Sequence, residues 1–449
     1  MLAIAMGYRL VRGVIRLLLR IFYRRVQLVG ADRIPAAGGL IITSNHHNSI
    51  VDPMLIMATF PRRITVLANA PLFRHPLMGP FLRAVGALPV NRRAEAGDDP
   101  KKNEALFATA IAHLRGGGAI LIFPEGRTQA RPTLLPLRTG AARLLLGAEA
   151  EGGRSGITLL PVGLVFERPG TFRAASALVT VGKPVEVADC VAAHATDPQG
   201  AVRRLTDRLS AAISAQFVEA EDQHTLDLAG ALERAWREER GGVAGPEASL
   251  AWRREVMRAA RALAERAPER VAGFRSRLEA YRANLRESGL SDAELGRPYT
   301  VPVVTRWIVV NAARLAISLP LALWGMVAHA LPFALTRAVV GWLHRSEEEE
   351  ATDKMASGLV LYPLCWALEA WLVKHLASVE AMVVFLVLLV PSGLVALAWR
   401  ERLGRVVRQA RAFAGFVVDR RLHADLIAER RALVMEAIAL AEIAGATGT

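Results

Sequence analysis

Between residue 39 and about residue 190, short apolar runs alternate with stretches whose apolar positions recur at helical spacing. The apolar runs predict six strands: Gly39–Thr43, Ile64–Ala68, Ala87–Val90, Ala119–Phe123, Ile157–Phe166 and Ala177–Gly182. Lys102–Leu114 and Thr139–Ala150 lie between them and predict helices. Strands that alternate with helices are typical of an α/β domain, in which helices cover a largely buried sheet.

The next part of the chain is helical in pattern and polar in composition. Residues 200–240 are rich in Ala, Arg, Glu and Leu, and residues 248–289 continue with charges of both signs. The glycines and the proline between Gly241 and Pro246 break this pattern, as linkers do. We therefore expect the α/β domain to occupy residues 31–240 and a helical linker region to occupy residues 241–300.

Long uncharged segments then predict membrane-embedded helices within residues 301–400. Leu315–Leu335 and Ala381–Trp399 are close to the roughly 20 apolar residues that a spanning helix needs, while Met355–Leu368 is marginal. The polar residues Lys374, His375 and Glu380 predict a turn between the last two segments, which would make them a helical hairpin. The alternative is a buried helical bundle of a soluble domain.

Arginines mark the two ends of the chain. Near the amino terminus they are spaced by three, four and four residues and share one helical face: Arg9, Arg12, Arg16 and Arg20. This pattern predicts that residues 1–30 form an amphipathic membrane-interface helix with its arginines toward lipid phosphates, although a helix packed on the domain explains it too. Residues 401–449 predict a basic amphipathic C-terminal helix, with four arginines toward anionic lipid: Arg402, Arg405, Arg408 and Arg411.

Composition and charge favour membranes or phosphorylated substrates. The 449 residues are 52% hydrophobic, and 56 basic residues against 42 acidic ones give a formal net charge of +14. A basic surface attracts anionic lipid, phosphate or nucleic acid. Because no nucleic-acid-binding motif is present, we expect no nucleic-acid partner. The two cysteines, Cys190 and Cys365, are far apart and predict neither a disulfide framework nor a metal cluster.

One polar segment carries candidate chemistry. Asn45–Pro53 follows a predicted strand and places His47 five positions before Asp52. Histidine can remove a proton from an alcohol near neutral pH, and a carboxylate can orient its ring. The adjacent His46 is a chemically identical competitor. There are two alternatives to a catalytic pair. The segment could be a helix cap, or the two histidines and Asp52 could be the metal ligands of a hydrolase.

Three further blocks follow in order: Gly86–Arg92, Phe123–Thr128 and Leu160–Leu164. With Asn45–Pro53 they resemble the glycerolipid acyltransferase family, which includes glycerol-phosphate, dihydroxyacetone-phosphate and lysophosphatidate acyltransferases. The resemblance implies a mixed sheet flanked by helices. It also implies acyl transfer from a thioester to a hydroxyl of glycerol 3-phosphate or 1-acylglycerol 3-phosphate in phospholipid synthesis. Acyl-CoA or acyl carrier protein would be the donor substrate, and we expect no cofactor and no metal.

The resemblance also implies roles for individual residues. The family spacing selects His47 as the base and Asp52 as its partner, and assigns Ser49, Arg92, Glu125, Gly126 and Arg127 to substrate binding. The third block departs from the family pattern, because Glu-Gly-Arg-Thr replaces Glu-Gly-Thr-Arg and moves the arginine by one position. The stretch from Leu134 to Gly140 resembles the glycerol-phosphate branch. We expect a protein of the cytoplasmic membrane whose active site faces the cytoplasm; a membrane scaffold with an acyltransferase fold is the alternative.

Overall fold

The structure is a computed structural model. It describes residues 2–74, 78–90, 100–150, 156–242, 245–295, 301–343, 346, 348–418 and 420–445. These residues form two compact units. The first unit contains residues 1–223 and the short segment 345–352, and the second contains residues 224–344 and 353–449.

A seven-stranded mixed sheet is the centre of the first unit. Its strands are β1 (Arg25–Val29), β2 (Leu40–Ser44), β3 (Ile64–Asn69), β4 (Leu88–Val90), β5 (Ala119–Ile122), β6 (Thr158–Glu167) and β7 (Ser176–Val181). Their spatial order is β1-β7-β6-β2-β5-β3-β4, and every neighbouring pair is parallel except the antiparallel pair of β6 and β7. All five residues of β2 are buried, as expected for a central strand covered on both faces.

Helices cover this sheet. They are α1 (Leu2–Phe22), α2 (Val51–Thr59), α3 (Met78–Val85), α4 (Pro100–Arg115), α5 (Gly140–Ala150), α6 (Ala188–His194) and α7 (Pro198–Ser214). One hydrophobic cluster joins α4, α5, α6 and α7 to the sheet, with Ile41, Ile120 and Leu159 among its strand residues. The predicted mixed sheet flanked by helices is therefore confirmed, and the six predicted strands are present within one residue of their expected ends. The edge strand β1 was not predicted.

Helix α1 packs on the first unit through Tyr8, Ile15, Leu19 and Phe22, which are buried. The expected orientation of its arginines is wrong for Arg12 and Arg16. Their guanidinium groups donate to the carbonyl oxygens of Phe60 and Ala58, at the end of α2. Carbonyls at a helix C-terminus carry partial negative charge and lack helical partners, so an arginine stabilises them.

The second unit is helical in the part of the chain that the structure describes. It contains α8 (Gln223–Arg240), α9 (Gly245–Arg266), α10 (Pro268–Glu287), α11 (Asp292–Leu295), α12 (Val301–Ala328), α13 (Ala330–Leu343), α14 (Glu350–Leu376), α15 (Val379–Val418) and α16 (Arg420–Ile443). The two units meet in the chain at residues 223 and 224, where the sequence suggested residue 240. Helix α8 shares a buried cluster with α10, α11 and α16 that includes Leu232, Tyr281 and Leu433. Helices α9, α10 and α11 therefore belong to a packed helical unit, and the expectation of a linker region is wrong for these described residues.

Among the residues that the structure describes, three helices are long and apolar enough to cross a membrane: Val304–Ala328, Glu350–Leu376 and Val379–Arg411. The predicted hairpin is present, since α14 ends at Leu376 and α15 begins at Val379. The expected span Leu315–Leu335 is wrong as a single helix, because α12 ends at Ala328 and α13 begins at Ala330. Pro332 has no N–H to donate to the carbonyl of Ala328, so one helical hydrogen bond is missing at this break.

Helices α12 and α15 pack closely and run in opposite directions. The indole Nε1 of Trp399 donates to the carbonyl oxygen of Leu315 at 3.0 Å. Ten residues further along α12, a Cβ at Gly325 would come within 2.2 Å of the Ser392 carbonyl oxygen. Small residues at such a crossing let two backbones approach, as they do between membrane helices. The outer faces are apolar and exposed, with Ile317 82% and Val387 67% accessible.

Candidate active site

A histidine and an aspartate meet in the loop that follows β2. The ring Nδ1 of His46 lies 2.8 Å from Oδ2 of Asp52, which is fully buried in the first turn of α2. The same carboxylate oxygen accepts the backbone N–H of Asn48 at 2.8 Å. When Nδ1–H of neutral His46 donates to Asp52, Nε2 keeps a free lone pair. The pair therefore has the arrangement of a general base and its orienting carboxylate.

The expected pairing of His47 with Asp52 is wrong in this structure. Both ring nitrogens of His47 are shielded from solvent and have no hydrogen-bond partner among the described residues. The ring packs against Phe217, with centroids 5.6 Å apart. Burial lowers the pKa of His47 to about 4, against the opposing charge of Asp52. His47 is thus a neutral, half-buried side chain whose ring nitrogens are shielded, while His46 faces the cavity described below.

Polar side chains fix this loop to the sheet. Asn45 exchanges two hydrogen bonds with the backbone of Leu164 on β6, at 2.9 and 2.7 Å. The side-chain amide of Asn48 donates to the hydroxyl of Tyr23 at 3.0 Å. Tyr23 is 2% exposed, and burial raises the pKa of its hydroxyl. Tyr23 was not predicted from the sequence, because nothing near it in the chain resembles a motif.

Glu125 follows β5, the parallel neighbour of β2, so the two loops lie side by side. Its carboxylate is 3% exposed and accepts the backbone N–H of His46 at 2.8 Å and that of Leu135 at 3.0 Å. These two backbone N–H groups engage both carboxylate oxygens, and the expected role of Glu125 in substrate binding stays a prediction. Burial raises the pKa of Glu125 to about 7, while the two N–H groups oppose this rise.

The arginines near the site differ in position. Arg127 is exposed and does not line the cavity beside His46, whereas Arg138 does. Arg138 crosses over Gly126, where an added Cβ would come within 2.6 Å of its Nε. Gly126 has a φ of +72°, a left-handed conformation that suits glycine. Arg92 lies outside the described residues, so its expected role stays a prediction.

A cavity of about 530 Å³ opens beside His46. Most of its wall is apolar and comes from α2, β3, α3, α4 and α5, for example Met54, Leu82 and Phe107. A smaller polar part contains His46, Ser49, Thr128 and Arg138. A mostly apolar cavity with a few convergent polar groups is the usual form of a small-molecule site. Among the residues that the structure describes, no group of three or more His, Cys, Asp or Glu side chains is placed to hold a metal ion.

Comparison with known proteins agrees with these observations. Residues 25–165 match the model of the Acyltransferase family. The resemblance seen in the sequence is therefore confirmed for this part of the chain. The matched region contains β1–β5, most of β6, His46, Asp52 and Glu125, so it includes the site.

The proteins that this chain resembles carry several names. An uncharacterized acyltransferase of Schizosaccharomyces pombe is 24% identical over 310 residues, covering 50% of this chain and 46% of that protein. Glycerol-3-phosphate O-acyltransferase 1 of Saccharomyces cerevisiae is 29% identical over 134 residues, covering 29% of this chain and 18% of that protein. A 1-acyl-sn-glycerol-3-phosphate acyltransferase of Borreliella burgdorferi is 27% identical over 159 residues, covering 35% of this chain and 58% of that protein.

Among solved structures, the 1-acyl-sn-glycerophosphate acyltransferase PlsC of Thermotoga maritima is 16% identical, with a TM-score of 0.32. The match covers 45% of this chain and 77% of that one. This chain spans less than half the length of the first curated relatives that it matches.

Proposed function

We propose that this protein is a membrane-bound O-acyltransferase of phospholipid synthesis. It would move a fatty acyl group from a thioester to a hydroxyl of a phosphorylated glycerol acceptor. The observation that carries the proposal is the 2.8 Å contact between His46 and Asp52 at the wall of an apolar cavity. The match of residues 25–165 to the Acyltransferase family supports the same reaction class.

In the proposed reaction, Nε2 of His46 removes the proton of the acceptor hydroxyl as its oxygen attacks the thioester carbonyl carbon. The C–O bond forms, the C–S bond breaks, and the proton on His46 passes to the leaving thiolate, so the products are an ester and a free thiol. Asp52 stabilises the positively charged ring between these steps. The flat contact with Phe123, 4.1 Å between centroids, holds the plane of the His46 ring.

The apolar wall would receive the acyl chain. Each methylene group that leaves water contributes about 0.8 kcal/mol, so a cavity of this kind can bind a long chain without charged contacts. The acceptor phosphate would bind at the polar part of the wall, where Arg138 lines the same cavity as the base. A guanidinium fork suits phosphate because it can hold two oxygens at once. Arg127 remains a second candidate for substrate binding, implied by the third sequence block.

We also propose how the protein contacts the membrane. Helix α1 exposes Leu10, Val14 and Leu17 on one face, with Arg9 and Arg20 beside them. Such a face suits the interface of an anionic membrane. In the second unit, the ends of α12 and α15 that meet at Leu315 and Trp399 carry several arginines: Arg306, Arg314, Arg400, Arg402 and Arg405. The positive-inside rule puts this end in the cytoplasm, where thioester donors are found.

The test is an acyl-transfer assay on membranes that contain the full-length protein. A labelled acyl-CoA or acyl carrier protein thioester is offered with glycerol 3-phosphate, dihydroxyacetone phosphate, 1-acylglycerol 3-phosphate or another lysolipid. We expect incorporation with at least one phosphorylated acceptor and loss of it in His46→Gln. Absence of transfer to every acceptor would favour a membrane scaffold. Extraction by alkaline carbonate without detergent would contradict the spanning helices.

A further inference from the structure

Glu125 is a buried carboxylate beside the base, and both of its oxygens are engaged. Oε1 accepts the N–H of His46, and Oε2 accepts the N–H of Leu135 and a longer contact of 3.5 Å from the Gln129 amide. The cavity wall contains the neighbours Pro124 and Gly126 but does not contain Glu125. A substrate in the cavity therefore meets the loop around Glu125 and not its carboxylate.

The backbone of His46 is held through both its N–H and its carbonyl oxygen by the segment 125–129. Its N–H donates to Glu125, and its carbonyl oxygen accepts the N–H of Gln129 at 3.2 Å. Asp52 and Phe123 then fix the ring of His46. The backbone of His46 is thus anchored by residues 125–129 and its ring by Asp52 and Phe123. A shift of the Glu125 carboxylate would move the base relative to the acceptor hydroxyl.

We propose that Glu125 is a positioning residue, which holds the backbone of His46 and joins it to the loop that carries Arg138. The carboxylate spans from His46, in the loop after β2, to Leu135, three residues before Arg138. Arg138 itself returns to the start of this loop, since its N–H donates to the Pro124 carbonyl oxygen at 2.8 Å. Glu125 therefore sets the distance between the base and the proposed phosphate site. This inference rests on the proposed function.

The role requires two acceptor oxygens on one side chain. An ionised carboxylate accepts at both, whereas a glutamine amide accepts at one and donates at the other. The groups that face Glu125 include Asp52, whose charge raises its pKa, and Arg127, whose charge lowers it, after the larger effects of burial and the two N–H donors. With a pKa of about 7, the carboxylate is readily protonated below neutral pH. Protonation would then weaken its hold on one of the two loops.

The first experiment compares Glu125→Gln with Glu149→Gln in the full-length protein. Glu149 is the matched control, because it is also buried and accepts a backbone N–H, that of Ile157, at 2.8 Å. Displacing a reacting group by about 1 Å can cost about a hundredfold in rate. We expect kcat to fall about tenfold to hundredfold in Glu125→Gln, with KM for donor and acceptor nearly unchanged. Glu149→Gln should keep the kcat of the wild-type protein.

A second measurement does not depend on activity. Hydrogen exchange at the amides of His46 and Leu135 should become faster in Glu125→Gln and stay unchanged in Glu149→Gln. Glu125→Asp keeps the charge but is one methylene shorter, so it should hold one loop and give an intermediate kcat. A raised KM for the acceptor with normal kcat would overturn the inference, as would unchanged exchange at both amides. If the wild-type protein transfers no acyl group, the proposed function fails while the exchange data still decide whether Glu125 holds the two loops.

Discussion

Replacement of the half-buried His47 by Leu should make the first unit less sensitive to acid. His47 has an ordinary pKa of 6.5 and, because of burial, a pKa of about 4 in the folded protein. Between these values the unfolded chain binds a proton that the folded protein does not, so stability is complete above pH 6.5 and falls toward pH 4. With 1.36 kcal/mol for each pH unit, lowering the pH from 7 to 4.5 should reduce the contribution of His47 to stability by about 2 kcal/mol. The raised pKa of Glu125 acts in the opposite direction over this range, but equally in the wild-type protein and the variant.

The assay has to report on the first unit alone. All eight tryptophans lie in the second unit: Trp236, Trp252, Trp307, Trp324, Trp342, Trp366, Trp371 and Trp399. Hydrogen exchange at the slowest amides of β2 is therefore the suitable measurement, after correction for the intrinsic effect of pH. A contribution of about 2 kcal/mol corresponds to roughly a thirtyfold larger loss of protection in the wild-type protein than in His47→Leu, since 1.4 kcal/mol is about tenfold in an equilibrium constant. The His47→Leu variant should therefore lose less protection than the wild-type protein between pH 7 and pH 4.5, and the difference is the contribution of His47. Equal losses in both proteins would refute the burial of a neutral His47.

Three further predictions concern the proposed reaction. His46→Gln should lower kcat by about two to four orders of magnitude, as loss of a general base does. His47→Leu should keep most of the wild-type kcat. A steady-state assay in which His47→Leu loses more activity than His46→Gln would return the role of base to His47. Arg138→Ala should weaken acceptor binding about tenfold to hundredfold, because charge-assisted hydrogen bonds contribute about 1.5 to 3 kcal/mol, with donor KM as the internal control. Ala110→Phe should fill part of the cavity and shift the preference to shorter acyl chains by about 0.8 kcal/mol for each methylene excluded. Ala112→Phe, on the exposed face of the same helix, should leave the chain-length profile unchanged.

The strands could be predicted because their signal is local. A central parallel strand is buried on both faces, so β2 and β5 are continuous apolar runs in the sequence. The edge strand β1 is Arg-Val-Gln-Leu-Val, which is partly exposed and polar, and its pairing with β7 is a contact between distant parts of the chain. The break at His329 could not be predicted from Pro332 alone, because Pro320, Pro363 and Pro391 lie inside continuous helices.

The roles of the site residues depend on contacts that sequence spacing does not contain. A spacing rule can be transferred within a helix or strand, where each residue has a fixed direction, but residues 45–50 form an irregular loop. Ser49 has a φ of +41°, which turns the backbone between the two histidines and α2. Asn45 and Glu125 hold the loop from opposite sides through backbone groups of Leu164 and His46. In this conformation the ring six positions before Asp52 reaches the carboxylate, while the ring five positions before it points toward Phe217. The choice between the two histidines is therefore made by the packing around the loop, and the pair of variants at His46 and His47 tests that packing directly.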